Sequence, residues 1–188
     1  MRARAESAAA TRARILEAAT AAMRRQFRPE VRLDAVAAEA GVSVQTVLRI
    51  FGSKRQLLDE VTEIAARDVA AEFAGVRPGD VAAIVHATVN HYEKVGDLVI
   101  RNIQDETDPE IHTFVEGGRA LHRAGTETGF APYLDPLAPA EKRRTVDALV
   151  VALDVYTWKL LRRDMDRSRS DTETTIRTLV NAILEAMT

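Results

Sequence analysis

Residues 31–51, VRLDAVAAEAGVSVQTVLRIF, leave this chain fewer choices than any other stretch. Leu33, Val36, Ala37 and Ala40 recur at three- and four-residue spacing, which predicts a short helix over 33–40 with one apolar face. Gly41 follows where a helix end most often needs a residue with positive φ. Ser43 then stands where an N-cap holds the free amides of a second helix, with Val44, Val47, Leu48 and Phe51 along its inward side. Two short helices crossing over so tight a turn approach closely, and Ala37 is small enough for that crossing. The pattern is a helix-turn-helix, with Gln45, Thr46 and Arg49 on the opposite side of its second helix. Those three can hydrogen-bond base edges or phosphates from a helix lying in a major groove, so they are the candidate recognition residues.

The flanks carry further signals. A helix from Ser53 has Lys54 and Arg55 in its first turn, where cations oppose the helix dipole, and a phosphate would give them a partner. Ahead of the pair, Ile15-Leu16-Glu17-Ala18-Ala19 sits in a first helix. Then come Ala37 and Ala40-Gly41-Val42-Ser43 in the turn, Thr46 and Phe51, and Ser53-Lys54 with Leu57-Leu58. In that order and spacing, residues 11–61 resemble the DNA-binding domain of the TetR family of bacterial transcriptional regulators. The resemblance implies that Gln45 and Thr46 face bases or phosphates and that Lys54 binds a phosphate. The chain departs from the family at Leu48, usually Tyr, at Ile50, usually His or Tyr, and at Arg32, where Thr or Ser usually opens the second helix. A cap is lost at Arg32 and a long cation gained. The candidate DNA-binding set is therefore Arg32, Ser43, Gln45, Thr46, Arg49 and Lys54.

Charge is spread unevenly. Residues 1–55 hold eleven Lys and Arg against five Asp and Glu, a balance of plus 6, whereas 56–188 carries minus 8 beneath a net charge of only −2. A basic head on an acidic body suits a protein that meets DNA with one end. With 46% hydrophobic and 29% charged residues over 188 positions, the chain has the material for a folded core and no bias toward disorder. It has no cysteine, so disulfides and thiolate chemistry are excluded. No apolar run reaches eighteen residues and none follows the cations of residues 1–10, so neither a membrane partner nor a secretory leader is expected and a cytoplasmic address fits. Residues 1–10 read as a mobile arm whose Arg2 and Arg4 track phosphates or a minor groove, or as a solvated tail.

The fold class expected is all-α, with about nine helices: a helix-turn-helix DNA-binding domain over 1–55, then a helical ligand-binding and dimerisation domain over 56–188. The first helix runs from Thr11 with Ile15, Leu16, Ala19, Met23 and Phe27 on one face and ends before Pro29. The fourth, from Ser53 to Phe73, is a strut of about 30 Å. Five more are placed at about 80–95, 97–106, 109–127, 139–166 and 170–187, punctuated by Gly96, Pro109, Gly129 and Ser168. The eighth is apolar on two sides and the ninth carries Ile176, Leu179, Val180, Ile183, Leu184 and Met187 in one stripe. A helix apolar on two sides needs two partners, and the resemblance implies a homodimer through these last two helices. The interface expected is Leu153, Leu160, Ile176, Leu179, Val180 and Ile183.

A small-molecule effector is expected in the body, lined by Tyr92, Phe114, Asp154 and Trp158; Asp154 interrupts the apolar run 148–155, where an unpaired carboxylate is costly. No cofactor or metal is expected and no enzyme. None of the four histidines has Glu three residues before it, and no HExxH, GxSxG or phosphate-loop pattern occurs. The expected function is a ligand-responsive repressor that binds a palindromic operator in double-stranded DNA as a dimer. A helical dimeric interaction protein with a vestigial helix-turn-helix is the alternative, and salt-dependent duplex binding separates the two.

Overall fold

The structure, a computed structural model, describes residues 2–26 and 28–186, with side chains from Ser7 onward except that of Glu110. The expectations for Phe27 and Met187, and for the side chains of Arg2 and Arg4, lie outside the described residues. Among the described residues every regular element is helical. The chain divides into two compact units, Met1–Asp68 and Val69–Thr188.

The first unit holds α1 (Arg2–Arg25), a 3-10 turn (Arg28–Glu30), α2 (Leu33–Glu39), α3 (Val44–Phe51) and the greater part of α4 (Lys54–Phe73). The expected mobile arm is instead helix, because α1 already starts at Arg2. Alanines at 3, 5, 8, 9 and 10 are the strongest helix formers, and the Thr11 hydroxyl donates back to the Ser7 carbonyl at 2.9 Å. The core joins Ile15 and Ala19 of α1 with Val36, Val47 and Phe51, while Met23 and Leu33 sit half-buried at its margin. Leu57, Leu58 and Val61 of α4 are buried in the same core, which is why this unit extends past residue 55. Each such side chain removed from water contributes about 1.5–3 kcal/mol. Alanines 18, 19, 22, 37 and 40 line the crossings, where larger side chains would hold the helices apart.

The second unit holds α5 (Val81–Gln104), α6 (Pro109–Gly129), α7 (Ala131–Leu134), α8 (Pro139–Ala152), α9 (Val155–Lys159), a π-helical turn (Leu160–Asp164) and α10 (Arg169–Glu185). α5 packs on α9 and α10, and α8 packs on α6 and α10. Two sequence expectations fail here for physical reasons. Gly96 does not end a helix: α5 runs through it, and the missing side chain makes room for Trp158. A Cβ at 96 would lie 2.4 Å from Trp158 Cζ3. Conversely, the helix expected over 139–166 breaks at Leu153–Asp154. Asp154 adopts an extended conformation and its carboxylate accepts from the Tyr156 amide at 2.8 Å, capping α9, while the Thr157 hydroxyl donates to the Val151 carbonyl at 2.7 Å.

Trp158 is the centre of this core. Its ring is fully buried 6.1 Å from that of Tyr92, the Arg163 guanidinium stands 4.5 Å from its centroid, and Nε1 donates to Glu93 Oε1 at 2.9 Å. Glu93 also accepts from Arg162 at 2.6 and 3.1 Å, and Asp97 takes a bidentate pair from Arg163 at 2.9 Å. The Arg162 hydrogen bond holds the Glu93 carboxyl below its usual range against the opposing pull of burial, and Arg163 does the same for Asp97. Among the described residues no helix is long and apolar enough to cross a membrane.

Candidate nucleic-acid interface

The turn between α2 and α3 forms as its residue types dictate. Gly41 has φ +66°, the Val42 amide donates to the Ala37 carbonyl at 2.9 Å, and Arg14 Nε donates to the Ala40 carbonyl at 3.2 Å. Orphan carbonyls at the end of α2 are thereby satisfied from two sides. Ser43 caps α3: its Oγ accepts from the Thr46 amide at 3.2 Å and shares a 3.0 Å hydrogen bond with Thr46 Oγ1. Gly52, φ +82°, ends α3, and Ser53 opens α4 by accepting from the Gln56 amide at 3.1 Å.

These caps fix which side of α3 turns outward. Val47 and Phe51 are buried and Val44 and Ile50 pack at the core's edge. Gln45 and Arg49 are exposed, one helical turn apart, and Thr46 is half-buried with its hydroxyl engaged in the cap. Leu48 does not join the inward side. It is 39% exposed. A helix advances about 100° per residue, so Leu48 stands about 40° from Val44 on the side of Gln45. The exposed surface of α3 is therefore Gln45, Leu48 and Arg49, with the Ser43 hydroxyl at its N-terminal end.

Two cations stand differently from expectation. Arg32 precedes α2 and makes no cap; its guanidinium forms a bidentate pair with Asp34 at 3.0 and 2.6 Å, exposed to solvent. Each shifts the other in the usual sense through that hydrogen bond, Arg32 upward and Asp34 downward, and an exposed pair of this kind is easily exchanged for a phosphate. Lys54 Nζ donates to the Pro29 carbonyl at 2.6 Å. This cation therefore has a partner within the chain after all, with further N–H donors left for a phosphate. Sequence reading missed the arginines that hold the frame. Arg12 grips Glu60 with two 2.6 Å contacts and stacks 5.0 Å from the Phe51 ring centroid, and Arg28 pairs with Asp59 and donates to Thr62 at 3.2 Å. Both lie one helical turn or less from positions that were read, yet their acid partners are 48 and 31 residues away in sequence.

In the second unit the four residues expected around an effector are not gathered at an opening. Tyr92 and Trp158 are core, Asp154 is the cap of α9, and Phe114 stands partly exposed on α6. Burial pushes the Tyr92 phenol well above its ordinary pKa, with Asp154 adding to the effect. An open groove of about 480 Å³ lies elsewhere, lined by Arg123, Glu127, Asp135, Leu137, Lys142 and Val146. Of the residues expected at a dimer interface, Leu153, Ile176 and Val180 are buried within their own unit, Ile183 is half-buried, and Leu160 and Leu179 are exposed at 50% and 43%. Val151 is more exposed still, at 67%.

Residues 15–61 match the family model described as bacterial regulatory proteins, tetR family. No curated protein sequence matches the chain. The fold is similar to the crystal structure of a tetR-family transcriptional regulator from Streptomyces coelicolor, with a TM-score of 0.68 at 18% identity over 94% of this chain and 83% of that one. A second TetR-family regulator from Streptomyces coelicolor A3 gives a TM-score of 0.54 at 17% identity, over 94% and 96% of the two chains. Residues 15–61 therefore carry the N-terminal domain of the tetR family of bacterial regulatory proteins, and the chain has the fold of solved TetR-family regulators.

Proposed function

We propose that the protein is a repressor that binds a near-palindromic operator as a homodimer and is released by a small, largely apolar effector. The observation that carries the DNA half is the outward side of α3. Gln45 and Arg49 stand exposed side by side on a helix whose N-terminus Ser43 holds rigid, the arrangement a major-groove reader requires. Arg32 and Lys54 flank it as candidate phosphate contacts, with Ser43 and Thr46 at the helix start. Dimerisation is supported by the large apolar side chains left exposed along the last helices, Val151 and Leu160 on one side of the α8–α9 break and beyond it, and Leu179 on α10. Leu153, Ile176 and Val180 then act from behind by fixing the helices that present them, and Ile183 borders the contact.

Selection of duplexes from a random pool tests the reading. An enriched inverted repeat is expected, with affinity falling steeply as salt rises because bound cations release counterions. Lys54→Ala should weaken all sites alike, whereas Gln45→Ala should change preference among bases, by about 1–3 kcal/mol for a bidentate contact. Recovery of no enriched palindrome would overturn it.

Effector release has a rival. The closed packing around Trp158 favours a constitutive DNA-binding dimer, since an effector lined by Tyr92, Phe114, Asp154 and Trp158 has to open that core. A screen for small apolar molecules that quench Trp158, the single tryptophan, and dissociate the DNA complex decides between them.

A further inference from the structure

Leu48 is the one apolar side chain on the outward surface of α3. It lies one turn beyond Gln45 and next to Arg49, the two residues expected to reach bases. At about 100° per residue Leu48 stands about 60° from Gln45, next to it on the exposed sector of α3, so an approach that brings Gln45 to base edges sets Leu48 against the adjoining edge of the same groove. A leucine there accepts and donates nothing. Set against the amide, carbonyl or ring-nitrogen edge of a base it would strip water from a polar group without replacing the hydrogen bond, which is unfavourable. The major groove offers one apolar feature, the 5-methyl group of thymine. We propose that Leu48 is a specificity-determining residue that selects thymine at one position of each half-site through contact with that methyl group. The inference rests on the DNA-binding reading above and adds to it the base that an apolar recognition residue must choose.

The chemistry distinguishes this role from a phosphate or sugar contact, which would not depend on a base substituent. It also separates it from recognition of the thymine O4 carbonyl, which uracil retains. The experiment starts from the duplex enriched by the wild-type protein and replaces each thymine in turn by deoxyuridine, which removes only the methyl. At one position per half-site, affinity is expected to fall about fourfold, the value of one buried methyl-sized group. Leu48→Ala should bind the thymine and uracil duplexes equally well, while Leu48→Met, which keeps an apolar reach, should retain part of the discrimination. Since the side chain lies outside the core, thermal unfolding of both variants should match wild type. As a further arm, 5-methylcytosine at the sensitive position should bind better than cytosine to the wild type and no better to Leu48→Ala. If a duplex is enriched but no thymine responds to loss of its methyl, or Leu48→Ala responds as strongly as wild type, the inference is wrong and the DNA-binding reading stands. Should no duplex be enriched at all, both fall.

Discussion

Replacing Gly96 by alanine asks directly whether Trp158 organises the body. The added Cβ would lie 2.4, 2.6 and 2.8 Å from three carbons of the indole, where relaxed carbon contacts fall at about 3.5–4.0 Å. Ring or helix must therefore shift by about 1 Å. The ring has little freedom to do so, with Tyr92 beside it, Arg163 across its face and its N–H held by Glu93. Overpacking of this kind costs about 1–3 kcal/mol, and expelling the ring would cost more, about 3–5 kcal/mol, by emptying its site. Against this, alanine is favoured over glycine inside a helix by about 1 kcal/mol. A net loss of up to about 2 kcal/mol is expected, and a difference of about 1–3 kcal/mol from a glycine variant that meets nothing.

Urea unfolding followed by far-UV circular dichroism and by fluorescence measures it, since Trp158 is the single tryptophan and reports on this core alone. Gly117→Ala supplies the control. That glycine also lies within a helix, α6, but its added Cβ would meet nothing within 4 Å, so the helix preference should appear unopposed as a small gain. In a Trp158→Leu background the penalty at 96 should largely vanish. Equal behaviour of the two glycine variants would refute the packing argument.

Further outcomes follow from the same geometry. Asp154→Ala should lose about 1 kcal/mol by uncapping α9, and Asp154→Asn should recover most of it, both read by urea unfolding. Leu160→Glu and Leu179→Glu should give monomer by light scattering with little loss of fold, because both side chains are exposed, whereas Val180→Glu should unfold the unit. His91 is held below its ordinary pKa by burial, which outweighs its hydrogen bond to Glu72. Between that lowered value and about 6.5 the unfolded chain binds more protons than the folded one, so stability should fall as pH drops through this window. His91→Gln should flatten that part of the profile in urea titrations at successive pH values.

The head was legible because its signals are local. Gly41, Ser43 and the apolar spacing from Leu33 to Phe51 act on residues within a turn of themselves, and each does in the structure what its type requires. Leu48 was misassigned since a spacing rule treats i+3 and i+4 as one face, whereas 40° beyond Val44 is already the rim. In the body the misleading residues were those whose meaning depends on a distant partner. Gly96 read as a helix end, yet Trp158, sixty-two positions later, fills the space above it. Asp154, an interruption of the apolar run that requires a cation, a hydrogen-bond donor or a place at the surface, takes its donor from its own chain two residues on, as an N-cap does, and not from an effector site.

The placement of Trp158 also sets a condition on any release by a small molecule. A pocket for a drug-sized effector needs about 300 Å³ or more, and a core in which this ring is fully buried, stacked and hydrogen-bonded offers that volume only after the ring moves. An effector that binds there must therefore favour the displaced arrangement, and hundredfold release from DNA needs about 2.7 kcal/mol of differential binding in addition to the work of opening. Such an effector leaves a mark: Trp158 fluorescence changes on binding, and Trp158→Leu, which pre-empties part of the site, binds it more tightly than wild type. A molecule held instead in the surface groove beside Arg123 and Lys142 would leave Trp158 silent and be anionic or zwitterionic rather than apolar, to match those side chains and their acid partners. Titration of each screened molecule against tryptophan emission, in wild type and in Trp158→Leu by calorimetry, tells the two apart.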